Sequence, residues 1–90
     1  MPTRRIQIIN KLGLHARAAA KFVGVANRYD CTVEIGTTEH SLVNGKSIMQ
    51  VMMLAAAKGS DVCLRCEGPQ ADEAMAELCA LIDDYFEEGE

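Results

Sequence analysis

Polar and apolar positions alternate in some stretches of this chain and recur every three or four residues in others. "RRIQIIN", residues 4–10, places Ile6 and Ile8 on one side and Gln7 on the other, the period of a strand. "CTVEIG", residues 31–36, repeats the pattern with Val33 and Ile35, and "DVCLRCE", residues 61–67, repeats it with Val62, Leu64 and Cys66 inward. A short further strand begins at "SLV", residues 41–43, after the turn "TTEH" and before the turn signal Asn44-Gly45. Helical spacing appears from Arg17 to Tyr29, where Ala19, Phe22, Val23, Ala26 and Tyr29 share one face and Arg17, Lys21, Gly24 and Arg28 form a basic stripe opposite. A second helix is predicted from Ser47 to about Lys58, stopped by Gly59. A third follows Gly68-Pro69, with Asp72 and Glu73 suited to its positive end and Ala71, Met75, Leu78, Ile82 and Tyr85 as its buried stripe. The final "EEGE" reads as an acidic, frayed tail.

The predicted order is β-α-β-β-α-β-α, an α+β arrangement. A helix joins strands 1 and 2, so they run parallel with a right-handed crossover, and the fourth strand fits antiparallel between them. One four-stranded sheet of antiparallel type with three helices on one face would bury the core and leave the other face to solvent.

Composition narrows the possibilities. Ninety residues, 49% apolar and 24% charged, suit a single domain over 1–90 with a core of its own. A net charge of −4 argues against a nucleic-acid binder. No apolar run approaches the ~20 residues of a membrane span, and the first ten residues lack the apolar segment of a signal peptide. A cytoplasmic protein is expected. Cys31, Cys63, Cys66 and Cys79 show no secreted-type framework. "CLRC" matches a C-x-x-C pattern in letters, but residues three apart in a strand point to opposite faces, so no metal site or disulfide is expected there.

Candidate chemistry gathers in "NKLGLHARAAAKF", residues 10–22. Gly13 allows a tight turn before the helix. His15 falls at or near the N-cap, where the N–H groups of Ala16, Arg17 and Ala18 lack helical partners. The helix start favours an anion there, and Arg17 adds a planar guanidinium matched to phosphate oxygens. The dipole and the arginine both disfavour imidazolium, leaving a neutral, nucleophilic ring in an anion site, which is what a phosphoryl acceptor requires. A histidine that merely caps the helix fits the same residues.

"GLHARAAAKF" resembles the active-site segment of the HPr family, the histidine phosphocarriers of the bacterial phosphotransferase system. "VNGKSIMQVMMLAAAKGS" resembles the family's second signature, and the resemblance extends over nearly the whole chain. It implies an open-faced β-sandwich with the element order read above. It also implies phosphorylation of His15 on Nδ1 by Enzyme I, contact of Arg17 with the phosphoryl group, and transfer onward to a histidine of an Enzyme IIA protein. Ala18 stands where the family commonly has proline, and Leu12 where some members carry a polar residue. The chain lacks a G-x-x-x-x-G-K-[ST] loop and an obvious metal cluster, so no cofactor is expected and the phosphoryl group must come from another protein. A carrier rather than a self-sufficient enzyme is implied, working as a monomer.

A second site lies at "SIMQ", residues 47–50, a Ser-x-x-Gln capping-box pattern. Ser47 matches the family serine phosphorylated by an HPr serine kinase/phosphorylase. Val51, Leu54 and Ala55 fill one buried stripe of the helix, so Ile48, Met49, Met52 and Met53 cannot all be buried, and this surplus reads as a docking surface. Methionine adapts to partners of different shape. Lys21, and Lys46 beside Ser47, would extend a positive surface from Arg17 toward an acidic partner. His40 falls in a turn and carries no role. Two other readings stand beside the carrier: a regulatory protein-binding module acting through the apolar surface of the second helix, and a thiol or metal protein using Cys63 and Cys66. "NKLGLHAR" and "EGPQADEA" resemble the nitrogen-related relatives of the family and "NGKSIM" the serine-regulated type, so sugar and nitrogen branches are both open.

Overall fold

A computed structural model describes residues 3–9, 13–54, 58–84 and 86. The elements run β1 (Thr3–Gln7), α1 (Ala16–Ala26), β2 (Thr32–Gly36), β3 (Leu42–Asn44), α2 (Ile48–Met53), β4 (Asp61–Glu67) and α3 (Ala71–Asp83). The four strands form one sheet in the order β1-β4-β2-β3, with every neighbouring pair antiparallel. β4 enters between β1 and β2 and is antiparallel to both, so the two strands joined through α1 run parallel to each other. The register sets Ile6 opposite Val62, Ile35 opposite Leu64 and Val33 opposite Cys66, so the inward residues of neighbouring strands share one face.

The helices cover that face, giving the open-faced sandwich. Phe22, Ile35, Leu64, Leu78, Ile82 and Phe86 are fully buried between the layers, each worth roughly 2–3 kcal/mol of apolar transfer. α1 packs against both α2 and α3. Its buried surface is therefore wider than a single stripe: Ala18 and Val25 are buried beside Ala19, Phe22, Val23 and Ala26. At its C-terminal end Arg28 Nη1 and the Tyr29 hydroxyl both donate to Glu77 of α3, the arginine at 2.9 Å.

Several boundaries differ from the sequence reading. α1 ends at Ala26 instead of Tyr29; the chain then tightens into i→i+3 turns, Arg28 N–H to Val25 O at 3.0 Å and Tyr29 N–H to Ala26 O at 3.4 Å, and Tyr29 is half-buried. α2 has six residues and does not reach Lys58. Gly59, predicted as the stop of a long helix, instead anchors the return to the sheet: at φ +91° it donates to Ile8 O at 2.8 Å, while Ile8 donates to Ser60 O at 2.8 Å. α3 starts at Ala71, and its buried face includes Ala74, Cys79 and Leu81 besides the predicted residues. The predictions for Ala55 and Tyr85 lie outside the described residues. Phe86 is buried despite a positive φ of 52°, and Lys21 Nζ donates to its carbonyl at 2.8 Å.

The solvent face of the sheet is not uniformly wet. Cys63 points there yet is only 5% exposed, because cross-strand Arg5 covers it, with Nη1 at 3.4 Å from the sulfur. Cys66 is on the core side, so the two cysteines of "CLRC" face opposite ways. All four cysteines are free.

Candidate functional site

The turn into α1 is built from three consecutive residues. Gly13 has φ +66°, a left-handed conformation that an L side chain adopts at a cost. Leu14 follows and is 4% exposed. It occupies the position before the cap, and Ala19 occupies the fourth helical position; both belong to the core, the arrangement of a hydrophobic staple. The sequence reading did not name Leu14. The signal was present: an apolar residue between a turn glycine and a polar cap.

With Leu14 held, His15 is left half-exposed at the helix start, with φ −77° and ψ 178°. It is the N-cap of α1. Its Nδ1 accepts the backbone N–H of Arg17 at 3.2 Å, and its carbonyl accepts the N–H of Ala19 at 2.8 Å, the first helical bond. Ala16 and Arg17 are exposed, whereas Ala18 is fully buried beneath them. An anion arriving from solvent thus meets the amides of Ala16 and Arg17 first. The side chain at Ala18 serves the core.

The basic stripe of α1 separates into three fates. Arg28 pairs with Glu77 and Lys21 is half-buried with its ammonium on the Phe86 carbonyl, both against α3. Arg17 is exposed, and its guanidinium has no carboxylate partner among the described residues. Lys46, expected to extend this positive surface, turns away from it: its Nζ donates to Tyr29 O at 2.9 Å, toward the end of α1 opposite His15. That helix is about 16 Å long at 1.5 Å per residue. Among the described residues, Arg17 is the fixed charge next to His15 along the chain.

Ser47 is the N-cap of α2, and its Oγ accepts the Gln50 amide at 3.4 Å. The capping box is only half formed. Gln50 Oε1 accepts from Asn44 N–H at 2.9 Å, and Ser47 N–H donates to Asn44 O at 3.2 Å instead. Asn44 also takes the Lys46 amide on Oδ1 at 2.9 Å, tying the turn to the helix it feeds. Val51 is fully buried, while Ile48 is 43%, Met49 72%, Met52 40% and Met53 78% exposed. The apolar surplus of this helix therefore lies at the surface.

The remaining candidate chemistry is quiet. His40 is exposed beside Glu39. Burial, reinforced by the neighbouring Cys31 and Cys79 thiols, pushes the Cys66 thiol up to about 11, and burial likewise raises Cys79 against the opposing Arg4. Among the described residues no group of three or more His, Cys, Asp or Glu could hold a metal, and no helix is long and apolar enough to cross a membrane. The prediction about Leu12 lies outside the described residues.

A histidine cap at an open helix start, on a sheet of order β1-β4-β2-β3 covered by three helices, defines a small phosphocarrier-type domain. The family model for the HPr component phosphorylation site of the phosphotransferase system matches residues 2–84. The phosphocarrier protein HPr of Pseudomonas aeruginosa is 62% identical over 90 residues, covering 100% of both chains. The phosphocarrier protein NPr of Shewanella violacea is 38% identical, over 94% of this chain and 92% of its own. Among solved structures, HPr-C-His from Thermoanaerobacter tengcongensis superimposes with a TM-score of 0.91 at 40% identity, covering 98% of each chain. This chain belongs to the HPr family of phosphocarrier proteins of the phosphotransferase system.

Proposed function

We propose that this chain carries a phosphoryl group on Nδ1 of His15, received from Enzyme I and passed to a histidine of an Enzyme IIA protein. The observation that carries this reading is the Arg17 amide on His15 Nδ1 at 3.2 Å. A ring nitrogen that accepts a hydrogen bond holds its lone pair there, so the proton of the neutral ring is on Nε2. The nucleophilic lone pair already points at the helix start. In transfer, that lone pair forms a new N–P bond in line as the bond from phosphorus to the donor's phosphorylated group breaks, and the electron pair returns to that group. His15 must release the Arg17 amide to attack, at a cost of about 1 kcal/mol. The released amide and that of Ala16 then face the phosphoryl oxygens, and the Arg17 guanidinium adds a charge-assisted contact. The buried Ala18 amide contributes only to a phosphoryl group seated low against the helix.

Docking is assigned to the exposed face of α2, chiefly Ile48, Met49 and Met52, with Lys21 at the margin of α1. Ser47 is the proposed regulatory site, modified by an HPr serine kinase/phosphorylase, where a phosphate would stand beside that apolar face. The carrier works as a cytoplasmic monomer and needs no cofactor. The exposed α2 methionines also favour a second reading, a regulatory binding module in which His15 only caps α1.

Incubation with phosphoenolpyruvate and Enzyme I separates the two. The native chain should gain an acid-labile phosphate, and His15→Ala should gain none while keeping its fold, since His15 is half-exposed. Uptake by the alanine variant would overturn the site assignment. A native chain that stays unmodified would leave the binding module standing.

A further inference from the structure

Three of the five methionines in the chain, Met49, Met52 and Met53, lie on α2. Their spacing of three and four residues puts them side by side on one helical surface, with Ile48 one turn from Met52. All three are exposed, Met49 and Met53 by 72% and 78%, whereas Met75 is 5% exposed in the core. The cysteine sulfurs are disposed the other way: Cys63, Cys66 and Cys79 are buried and only Cys31 is half-exposed. Two of the buried thiols, Cys66 and Cys79, are held further toward the protonated form, which is a poor nucleophile toward peroxide. Among the described residues, sulfur available to an oxidant is thus concentrated on the surface assigned above to partner docking.

We infer that Met49, Met52 and Met53 form an oxidation site at which peroxide-class oxidants reversibly switch off docking of this carrier. The inference rests on the docking reading given under Proposed function. In each event the thioether lone pair attacks one peroxide oxygen and the O–O bond breaks. Sulfur loses two electrons and gains that oxygen, and the remaining oxygen leaves as water from hydrogen peroxide or as the alcohol from an alkyl hydroperoxide. A thiol-dependent methionine sulfoxide reductase restores the thioether, with two thiols becoming one disulfide and the oxygen leaving as water. In the free protein a sulfoxide on α2 remains hydrated, so the fold does not suffer. In a dry interface the same S=O dipole loses its water without a designed donor opposite it. About a tenfold loss of association per buried sulfoxide is expected on that basis. His15 chemistry is untouched, because α1 carries the acceptor and contains no methionine.

The test treats the full chain with hydrogen peroxide, maps oxygen uptake by mass, and measures three quantities. Of the four described methionines, Met49 and Met53 should gain oxygen first, Met52 next and Met75 last. Phosphorylation of His15 by the donor protein at low concentration should slow at least tenfold and recover after reductase treatment. Phosphorylation of His15 by phosphoramidate, a small donor that needs no docking, should proceed as before. In Met49→Leu/Met52→Leu/Met53→Leu the ratio of treated to untreated rate should stay near one. Oxidation of Met75 or a cysteine ahead of α2, a native transfer rate after full α2 oxidation, or equal peroxide sensitivity in the leucine variant would overturn the inference. Failure of the untreated chain to take phosphate from the donor protein would instead overturn the carrier reading, and this inference with it.

Discussion

Replacing Ser47 with aspartate and with alanine separates charge from capping at the start of α2. Ser47 Oγ reaches the Gln50 amide at 3.4 Å, a long contact. Its loss in Ser47→Ala belongs at the lower end of the range for caps, about 0.5–1 kcal/mol. In a domain of this size that lowers Tm by about 2–8 °C. Ser47→Asp keeps an acceptor, and its charge meets the positive end of a helix only six residues long. The gain is a few tenths of a kcal/mol at most, so Tm should stay close to native. The rates should order the other way. The new carboxylate stands beside Ile48 and Met49, which are 43% and 72% exposed. Against one carboxylate of an acidic partner about 8 Å away, at an effective dielectric near ~40, it costs about 1 kcal/mol. Partial loss of its water brings the total to about 1–2 kcal/mol, or five- to thirtyfold in transfer at low carrier concentration. The assay is the rate of His15 phosphorylation by Enzyme I for native, Ser47→Ala and Ser47→Asp chains, with melting curves for each. High salt should shrink the aspartate effect and leave the alanine effect alone. An alanine variant as slow as the aspartate variant would refute the charge argument. Native rate and native melting for both would leave Ser47 without a role.

Other expectations follow from the same geometry. Arg17→Ala should retain acceptance on His15 but slow transfer about tenfold or more, because one charge-assisted contact among several is lost; unchanged rapid-quench kinetics would make Arg17 a surface residue only. Met52→Glu should weaken association with Enzyme I while changing Tm by less than the deletion Val51→Ala, since Val51 is fully buried and Met52 is 40% exposed; calorimetry and titration on the pair check the order. The raised Cys66 pKa makes stability pH-dependent. Below about 9 both states keep the thiol proton; between there and about 11 the unfolded chain loses it while the folded chain does not, so stability falls with rising pH and then levels off. The loss is up to about 2–3 kcal/mol. Urea unfolding under reducing conditions at pH 8 to 11 should show a shallower decline for Cys66→Val.

The sequence by itself determined the parts that rest on local repetition and local chemistry. β4 is Asp61–Glu67 as its alternation predicts, because a half-buried strand reports its own two-residue period. His15 is the cap of α1 because a turn glycine, an apolar residue and an alanine-rich run specify a helix start within a few residues. That Ile48, Met49, Met52 and Met53 could not all be buried was legible from surplus alone, since a helix with too many apolar positions for one stripe must show some of them; the fold exposes all four. Tertiary structure decided the rest, for one physical reason: the partner of a polar group or the limit of a helix depends on what lies opposite in space. Gln50 reaches Asn44 in place of the Ser47 amide, Lys46 reaches Tyr29, and Lys21 closes on the Phe86 carbonyl, 65 residues away. α2 ends at Met53 although its composition favours a longer helix, and Gly59 and Ser60 bond to Ile8 where the chain joins the sheet. Ala18 and Val25 are buried because α1 is flanked by both α2 and α3, a packing that no period within α1 encodes.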